Sequence, residues 1–303
     1  MFQSILVLTD LTDTTRFAFG PLVALSRLLP SVHVRLAHAV AGTTEQFFLD
    51  SALREAIDRK AVAKVQPKLD ALVAELRTLG VDADGAIEVG SPYNVVFQLA
   101  EHFAADLILV PTRHQHSVVR RISHSVTARA IRAHALPVMT VSQHLGERGG
   151  DFGAFRKVLH PVDFGDGQLA ATRAAEDFAA IAGATLHGVH ILRRFDVDSM
   201  LEDDAEARAA ALIGIERAQT AAEQRLADVI SNVKRVRAET MVLQAETAGE
   251  GLVQYARDIG ADCIVLPALG RDKVHTQLMG STAEFVIGHA PCPVLFHDGK
   301  LGG

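Results

Sequence analysis

Residues 270–282 hold the side chains and backbone positions of this chain that are best suited to bind a phosphate group. Gly270 and Gly280 are separated by nine residues, and Ser281 and Thr282 follow at once. Glycine has no Cβ and lets a backbone come close to a ligand. The first amides of a helix have no intrahelical acceptor and readily bind anions. A helix that begins after Gly280 would therefore present free amides and two hydroxyls to phosphate oxygens.

The same segment is open to a plainer interpretation. Arg271 and Lys273 can add positive charge to a phosphate site, or they can be solvated loop residues. A pair of glycines is also typical of a helix C-cap turn followed by a helix N-cap. The chain contains no GxxxxGK[ST] motif, and no GxGxxG motif follows either predicted first strand. These absences argue against a Walker loop and against a Rossmann-type dinucleotide site.

The segment lies in the second copy of an internal repeat. The heptapeptide ADLILVP at 105–111 returns as ADCIVLP at 261–267, and the dipeptide Pro137-Val returns as Pro293-Val. Both offsets are 156 positions. Two anchors with one offset predict a duplicated domain.

Length and composition support two globular domains. The chain has 303 residues, of which 49% are hydrophobic, and its mean hydropathy is +0.18. This length fits two domains of about 150 residues, each with its own core. The net charge of -6 gives no electrostatic reason to expect nucleic acid as a partner. Cys263 and Cys292 form no disulfide framework, and we expect both to be small buried hydrophobic residues.

Targeting signals are not predicted. The start Met-Phe-Gln-Ser-Ile-Leu-Val-Leu has no basic n-region and is typical of a first strand rather than a signal peptide. No apolar run reaches about 18 residues, so we expect no transmembrane helix and no membrane partner. The sequence predicts a cytoplasmic protein.

Both copies alternate strands and helices. Strands are predicted at 5–8, 32–40, 83–89, 107–110 and 138–141, and again at 158–162, 185–192, 236–245, 263–266 and 294–296. Helices are predicted at 14–29, 50–79, from Pro92 onward and at 125–133, and again at 203–230, at 249–259 and from Ser281 onward. We expect Pro67 to kink the second helix or to begin a new one.

This alternation predicts an α/β fold with two tandem, doubly wound, parallel five-stranded sheets that carry helices on both faces. The domains are expected at 1–145 and 155–303, with a flexible linker at 146–151. Ligands of such sheets bind beyond the carboxyl ends of the strands. We expect Asp163, Gly270 and Gly280 to lie just after strand ends or at the helix start that faces them.

The whole pattern resembles the universal stress protein family in its tandem form. The resemblance rests on the first-strand endings Val7-Leu8-Thr9-Asp10 and His160-Pro161-Val162-Asp163, and on the Ala-Asp-hydrophobic fourth strands. It also rests on the Gly270-nine-Gly280-Ser281 spacing and on the terminal Pro-Val strands. It covers nearly all of both copies, and the combination is more specific than any one motif.

The resemblance implies a nucleotide site in the second copy. Nucleotide-binding members show Gly-x-x-Gly, nine residues and then Gly-Ser/Thr, so Gly270 is similar to the second glycine and Gly280 to the third. The first glycine falls at Pro267, which has no amide N–H and a fixed φ. Asp163 matches the acidic residue that contacts the nucleoside, although it can also be a helix N-cap.

The resemblance further implies that Val162 and Val189 approach adenine through their main chains. The expected ligand is ATP or a related adenine nucleotide, alone or with Mg²⁺, and no catalytic residue or protein-bound metal is assigned. The full set of residues expected to bind it is Pro161, Val162, Asp163, Val189, Leu266, Gly270, Arg271, Gly280, Ser281 and Thr282.

The first copy departs from this pattern. The glycine positions hold Pro111, His114 and His124, and Ser125 alone is retained. Side chains there would crowd the phosphate, so we expect no ATP binding of the family type. Residues 111–135 contain five arginines and no acidic residue, which is compatible with another anion, a solvated surface or a contact with the second copy.

The expected function is that of a stress-response, nucleotide-binding regulatory protein rather than a dedicated enzyme. Two alternatives stay open: a weak ATPase that uses Asp163, and an interaction protein that binds no nucleotide because of Pro267. The resemblance also implies that the last strands, 138–141 and 294–296, pair within one chain as a pseudo-dimer, which is compatible with a further homodimer.

Overall fold

The computed structural model describes residues 2–42, 50–112, 136–148, 152–165, 167–200, 203–267 and 280–297. Their strands are β1 Ser4–Leu8, β2 His33–Val40, β3 Ala83–Val89, β4 Leu107–Thr112, β5 Val138–Ser142, β6 Lys157–Pro161, β7 Thr185–Arg193, β8 Ala238–Ala245, β9 Cys263–Pro267 and β10 Val294–His297. Their helices are α1 Phe19–Leu28, α2 Ser51–Thr78, α3 Pro92–His102, α4 Gln168–Ala182, α5 Val197–Met200, α6 Ala205–Ile230, α7 Ala248–Ile259 and α8 Ser281–His289. The described strands agree with the predicted strands to within about two residues.

The strands form a single ten-stranded sheet in the order β3-β2-β1-β4-β5-β10-β9-β6-β7-β8. Each half contributes five parallel strands, as the alternation of strands and helices predicts. The two halves join where β5 and β10 run antiparallel, with Met139 opposite Leu295. This confirms that the last strands of the two copies pair within one chain.

Both core layers continue across this junction. On one face, Ile5 and Leu22 of the first half belong to the same buried cluster as Phe178 and Leu295 of the second half. On the other face, Leu6 and Ile108 share a cluster with Val253 and Phe296. The halves therefore bury apolar surface against each other as well as within themselves. Cys263 and Cys292 lie buried as free cysteines within these layers, as predicted.

Two helical predictions differ from the structure. The stretch predicted as one helix at 14–29 begins as a 3-10 helix, Asp13–Ala18, and continues as α1. Pro67 does not begin a new helix, because α2 continues through it, and a kink at this residue stays a prediction. The C-terminal half of α2 is anchored because Leu69, Leu72 and Leu76 pack into the core, while Pro67 itself is exposed.

The predicted linker is also partly structured. A 3-10 helix covers Gln143–Arg148, so the prediction of a flexible linker is wrong for its first three residues. The buried Leu145 belongs to the shared core cluster, which explains why the chain is ordered there. The predicted helix at 125–133 lies outside the described residues. None of the helices that the structure describes is long and apolar enough to span a membrane.

Candidate functional site

The strand order defines a crevice in each half. In the second half, β6 lies at the point where the order reverses, with β7 and β8 on one side and β9 and β10 on the other. In the first half, β1 holds the same position between β2 and β4. Open α/β sheets bind ligands at such reversal points, beyond the carboxyl ends of the strands. Asp163 follows the end of β6, Leu266 lies near the end of β9, and Gly280 is the residue before α8.

The main chain around Val162 is engaged within the protein. Its N–H donates to the carbonyl oxygen of Val189 at 2.8 Å, and its carbonyl accepts from Nδ1 of His190 at 2.6 Å. Both valines are buried, and Pro161 lies opposite Val189 in the sheet. The backbone groups that the resemblance directs toward adenine thus already form hydrogen bonds with neighbouring strands.

Asp163 forms a tight turn at the end of β6. Its Oδ1 accepts the N–H of Gly165 at 2.9 Å, and its own N–H donates to Oε1 of Gln168 at 3.0 Å. Phe164 between them has a φ of 61°, in the left-handed region. The N-cap of α4 is Gly167, which has no side-chain cap. The alternative of Asp163 as a helix N-cap is therefore wrong, because its carboxylate closes an Asx turn instead.

A buried polar network lies directly behind this turn. His160 is fully buried, its Nδ1 lies 3.1 Å from the carbonyl oxygen of Val265, and its Nε2 lies 3.0 Å from Nε2 of Gln168. Burial lowers the pKa of His160 to about 4, while the Val265 hydrogen bond and the charge of Asp163 act in the opposite direction. The imidazole is therefore neutral near pH 7. Sequence reasoning missed Gln168, whose only signal is its position in the first turn of the next helix.

An aromatic stack flanks the same turn. The rings of Phe164 and His190 have centroids 4.3 Å apart, and the guanidinium of Arg225 lies 4.4 Å from the centroid of Phe164. This arrangement packs α6 onto the turn that carries Asp163 and brings a cation close to it. The sequence contains no pattern that links Arg225 to Phe164.

The amino end of α8 has the backbone expected of an anion site. Gly280 is its N-cap, with φ -61° and ψ 145°, and no side chain caps the helix. This backbone suits any residue, and a Cβ at Gly280 would meet none of the described residues within 4 Å. Ser281 is exposed and Thr282 is half-buried in the first turn. The predicted contributors Gly270, Arg271 and Lys273 lie outside the described residues.

The first half retains the strand-end features of this arrangement. Asp10 Oδ1 accepts the N–H of Thr12 at 3.0 Å, Leu11 has a φ of 58°, and His38 Nδ1 donates to the carbonyl of Thr9 at 2.8 Å. A cavity of about 340 Å³ lies at this crevice, and its lining includes Asp10, His38 and apolar residues of β4 and α3. His114, His124 and Ser125 lie outside the described residues. Within the described segments of the chain, no group of three or more His, Cys, Asp or Glu residues could hold a metal ion.

Comparison with known proteins agrees with the topology. The sequence model of the universal stress protein family matches residues 1–142 and again residues 154–296. The chain belongs to the universal stress protein family. It is a tandem member, with one universal stress domain in each half of the ten-stranded sheet.

Two of the similar solved structures span both halves. A universal stress protein from Archaeoglobus fulgidus superimposes with a TM-score of 0.68 at 17% identity, over 98% of this chain and 97% of that one. A putative universal stress protein from Pseudomonas aeruginosa gives a TM-score of 0.55 at 16% identity, over 98% and 93% of the two chains. Universal stress protein MJ0531 of Methanocaldococcus jannaschii is 26% identical over 141 residues, which are 46% of this chain and 81% of that protein. Some members of the family bind nucleotides, and one has been solved in complex with cAMP.

Proposed function

We propose that the second universal stress domain binds an adenine nucleotide, ATP or a related compound, and that the protein acts as a nucleotide-responsive regulator in the stress response. The observation that carries the proposal is the amino end of α8. Its N-cap, Gly280, has a backbone conformation that any residue could adopt. No described residue occupies the space where a side chain at this position would lie. A glycine at this position leaves the first amides of α8 accessible to a ligand, as far as the described residues are concerned.

The phosphates would lie on the amides and hydroxyls of Gly280, Ser281 and Thr282, with Gly270 and Arg271 completing the loop. Free amides at a helix start and the helix dipole both favour phosphate oxygens. The nucleoside would lie toward Asp163, whose carboxylate is oriented by the N–H of Gly165. Because the main chains of Val162 and Val189 are already hydrogen-bonded, they would contribute shape to the site rather than free donors.

Hydrolysis does not belong to this proposal. Phosphoryl transfer needs a positioned base and usually a carboxylate that holds a metal ion. Asp163 is the candidate for both roles, and one carboxylate cannot hold the metal ion and act as the base at the same time. Nucleotide binding without efficient turnover is therefore the function that this geometry supports best.

A second candidate function is protein interaction without any nucleotide. Pro267 favours it, because this exposed residue ends β9 at the position of the family's first glycine and has no N–H to offer a phosphate. The two functions make opposite predictions about ligand content.

The deciding experiment measures adenine nucleotide in the purified full-length protein. Nucleotide released by heat is identified by chromatography with ultraviolet detection, and the thermal shift on adding ATP and Mg²⁺ is recorded. Bound nucleotide or a saturable shift supports the proposal. Protein that is free of nucleotide and shows no shift at millimolar ATP would favour the interaction function.

A matched pair of variants tests the location of the site. Gly280→Val places a branched side chain where the phosphate is proposed and should weaken ATP binding by at least about tenfold, or about 1.4 kcal/mol. Gly214→Val is the control, since Gly214 lies in α6 and also has no described atom within 4 Å of an added Cβ. Equal ATP affinity for parent and Gly280→Val would rule out the amino end of α8 as the phosphate site.

A further inference from the structure

The two crevices differ by one residue pair in the main-chain hydrogen-bond ladder between their central strands, β1 and β4 in the first half and β6 and β9 in the second. In the first half, β1 and β4 pair at three positions, the last of which is Val7 with Leu109. In the second half, β6 and β9 pair at two positions, the last of which is Leu159 with Ile264. The next pair would be His160 with Val265. The main-chain ladder of the second half therefore ends one residue pair earlier, at the edge where the ligand is proposed.

Pro161 explains the missing step. In a parallel ladder, the residue after a paired position donates its N–H to the carbonyl of the partner strand. The equivalent of Leu8 in the second half is Pro161, which has no N–H to donate to the carbonyl of Val265. The imidazole of His160 donates to that carbonyl in its place, at 3.1 Å. A buried carbonyl thus keeps a hydrogen bond, which now comes from a side chain.

The N–H of Asp163 determines which groups of this network donate and which accept. The N–H of Asp163 can only donate, so the Gln168 atom that it meets is the amide oxygen. The amide nitrogen of Gln168 then faces Nε2 of His160 at 3.0 Å and the hydroxyl of Thr172 at 3.1 Å. Since an amide nitrogen only donates, Nε2 of His160 accepts and Nδ1 carries the proton given to Val265. A single hydrogen-bonded path therefore joins Asp163 to β9.

The first half has a threonine at the position of Gln168. Thr15 stands five residues after Asp10, as Gln168 stands five residues after Asp163. Its hydroxyl lies 2.6 Å from the hydroxyl of Thr9, which accepts the N–H of Leu11 at 2.9 Å. These bonds stay within the turn and the helix that follows it. The position of β4 is set by the main-chain ladder instead.

We propose that His160 and Gln168 are positioning residues of the second crevice, which together fix the Asp163 turn relative to the end of β9. The inference rests on the proposed function for the ligand that this geometry serves. Val265 is followed by Leu266 and Pro267, which lead into the loop before Gly280, so the path spans from the nucleoside side of the crevice to its phosphate side. A change at Gln168 should therefore alter ligand affinity without direct contact with the ligand.

The primary variant is Gln168→Leu, which keeps the side-chain size and removes both amide functions. Thr172→Val is the matched control, because it deletes a buried hydroxyl that also contacts Gln168 and His160 but leaves the path from Asp163 to Val265 intact. Gln168→Leu should weaken ATP binding by about tenfold, and Thr172→Val should change it by less than about twofold. Equal effects of the two variants on affinity would contradict the proposal.

A ligand-free measurement separates this inference from the proposed function. Amide hydrogen exchange at Asp163 should accelerate by about tenfold or more in Gln168→Leu and stay near the parent rate in Thr172→Val. The ¹⁵N shifts of His160 should report a proton on Nδ1 alone. If the parent binds no ATP while exchange at Asp163 accelerates as expected, the proposed function fails and the network stands. Unchanged exchange in Gln168→Leu, or a proton on Nε2, overturns the inference.

A double variant separates the effect of His160 on stability from its effect on ATP affinity. His160→Val alone leaves the Val265 carbonyl without its donor, and it should destabilise the fold. His160→Val combined with Pro161→Leu reproduces the Val7-Leu8 sequence of the first half and supplies a main-chain N–H. The pair should recover stability relative to the single variant but not ATP affinity, because Gln168 keeps Thr172 as an acceptor but loses the imidazole that connects it to Val265. Recovery of both properties would show that His160 has no positioning role.

Discussion

The Nδ1 nitrogen of His160 lies 3.1 Å from the carbonyl oxygen of Val265, at the step where the main-chain ladder between β6 and β9 stops. The ring has no solvent exposure, and burial is the main cause of its lowered pKa, about 4. The native protein therefore contains a neutral imidazole whose protonation would break its bond with Gln168.

This burial predicts a specific loss of stability in acid. Between about pH 6.5 and pH 4 the unfolded chain binds a proton at His160 that the native state does not, so the free energy of unfolding falls as pH falls through this window. The stabilisation that comes from keeping His160 neutral is complete above pH 6.5. The free energy of unfolding falls by roughly 3 kcal/mol between there and pH 4. Urea unfolding of the parent and of the double variant His160→Val, Pro161→Leu should show a steeper decline for the parent. Parallel profiles would contradict the assignment.

A second prediction concerns Glu176 on α4. Its Oε1 accepts the backbone N–H groups of Lys234 and Arg235 at 2.6 and 2.7 Å, and the residue is 7% exposed. Glu176→Ala should reduce the free energy of unfolding by about 2–3 kcal/mol, because two amides lose a charged acceptor. The neighbouring Asp177→Ala removes an ion pair with the half-exposed Arg235 and should cost less than about 1 kcal/mol. Equal losses in urea unfolding would contradict this explanation.

A third prediction concerns the contact between β7 and α6. A Cβ at Gly188 would lie 2.6 Å from Cδ1 and 2.7 Å from Cγ1 of Ile230, so Gly188→Ala should destabilise by about 1–3 kcal/mol through overpacking. Gly214→Ala within α6 meets no described atom and should stabilise by about 0.5–1 kcal/mol. Thermal unfolding of both variants measures the difference, and a neutral Gly188→Ala would show that α6 can shift outward.

A fourth prediction follows from the shared core. Leu295 of β10 is fully buried, lies opposite Met139 of β5 and belongs to a cluster with residues of both halves. Leu295→Ala should cost about 2–5 kcal/mol. Because the two halves are joined by both core layers, the loss should lower a single unfolding transition rather than one of two. Hydrogen exchange in β2 and in β7 should accelerate together, and acceleration in the second half alone would show independent units.

The strands were predictable from the sequence because apolar runs bounded by polar turns are local signals. The duplication was equally visible, since Asp106 and Asp262 are separated by the same 156 positions as Pro137 and Pro293. The family resemblance followed from short motifs, and the family match over 1–142 and 154–296 confirms it. The binding residues around Gly280 remain a prediction, because most of that loop lies outside the described residues.

Other features depended on contacts between residues far apart in the chain. The position of Arg225 over Phe164 needs α6 to pack on the turn after β6, and no local pattern encodes that packing. The sequence left two roles open for Asp163, a contact with the nucleoside and a helix N-cap. Only the placement of Gly167 at the helix start ruled out the N-cap, and the nucleoside contact stays a prediction.

The sequence by itself determined two α/β copies and the strand ends at which a ligand would bind, because periodicity and turn residues act locally. Tertiary structure alone decided that His160 donates to Val265 and accepts from Gln168. The physical reason is that the hydrogen-bond direction of a buried imidazole depends on which donors and acceptors surround it. Those neighbours come from β9 and α4, and the fold brings them to β6.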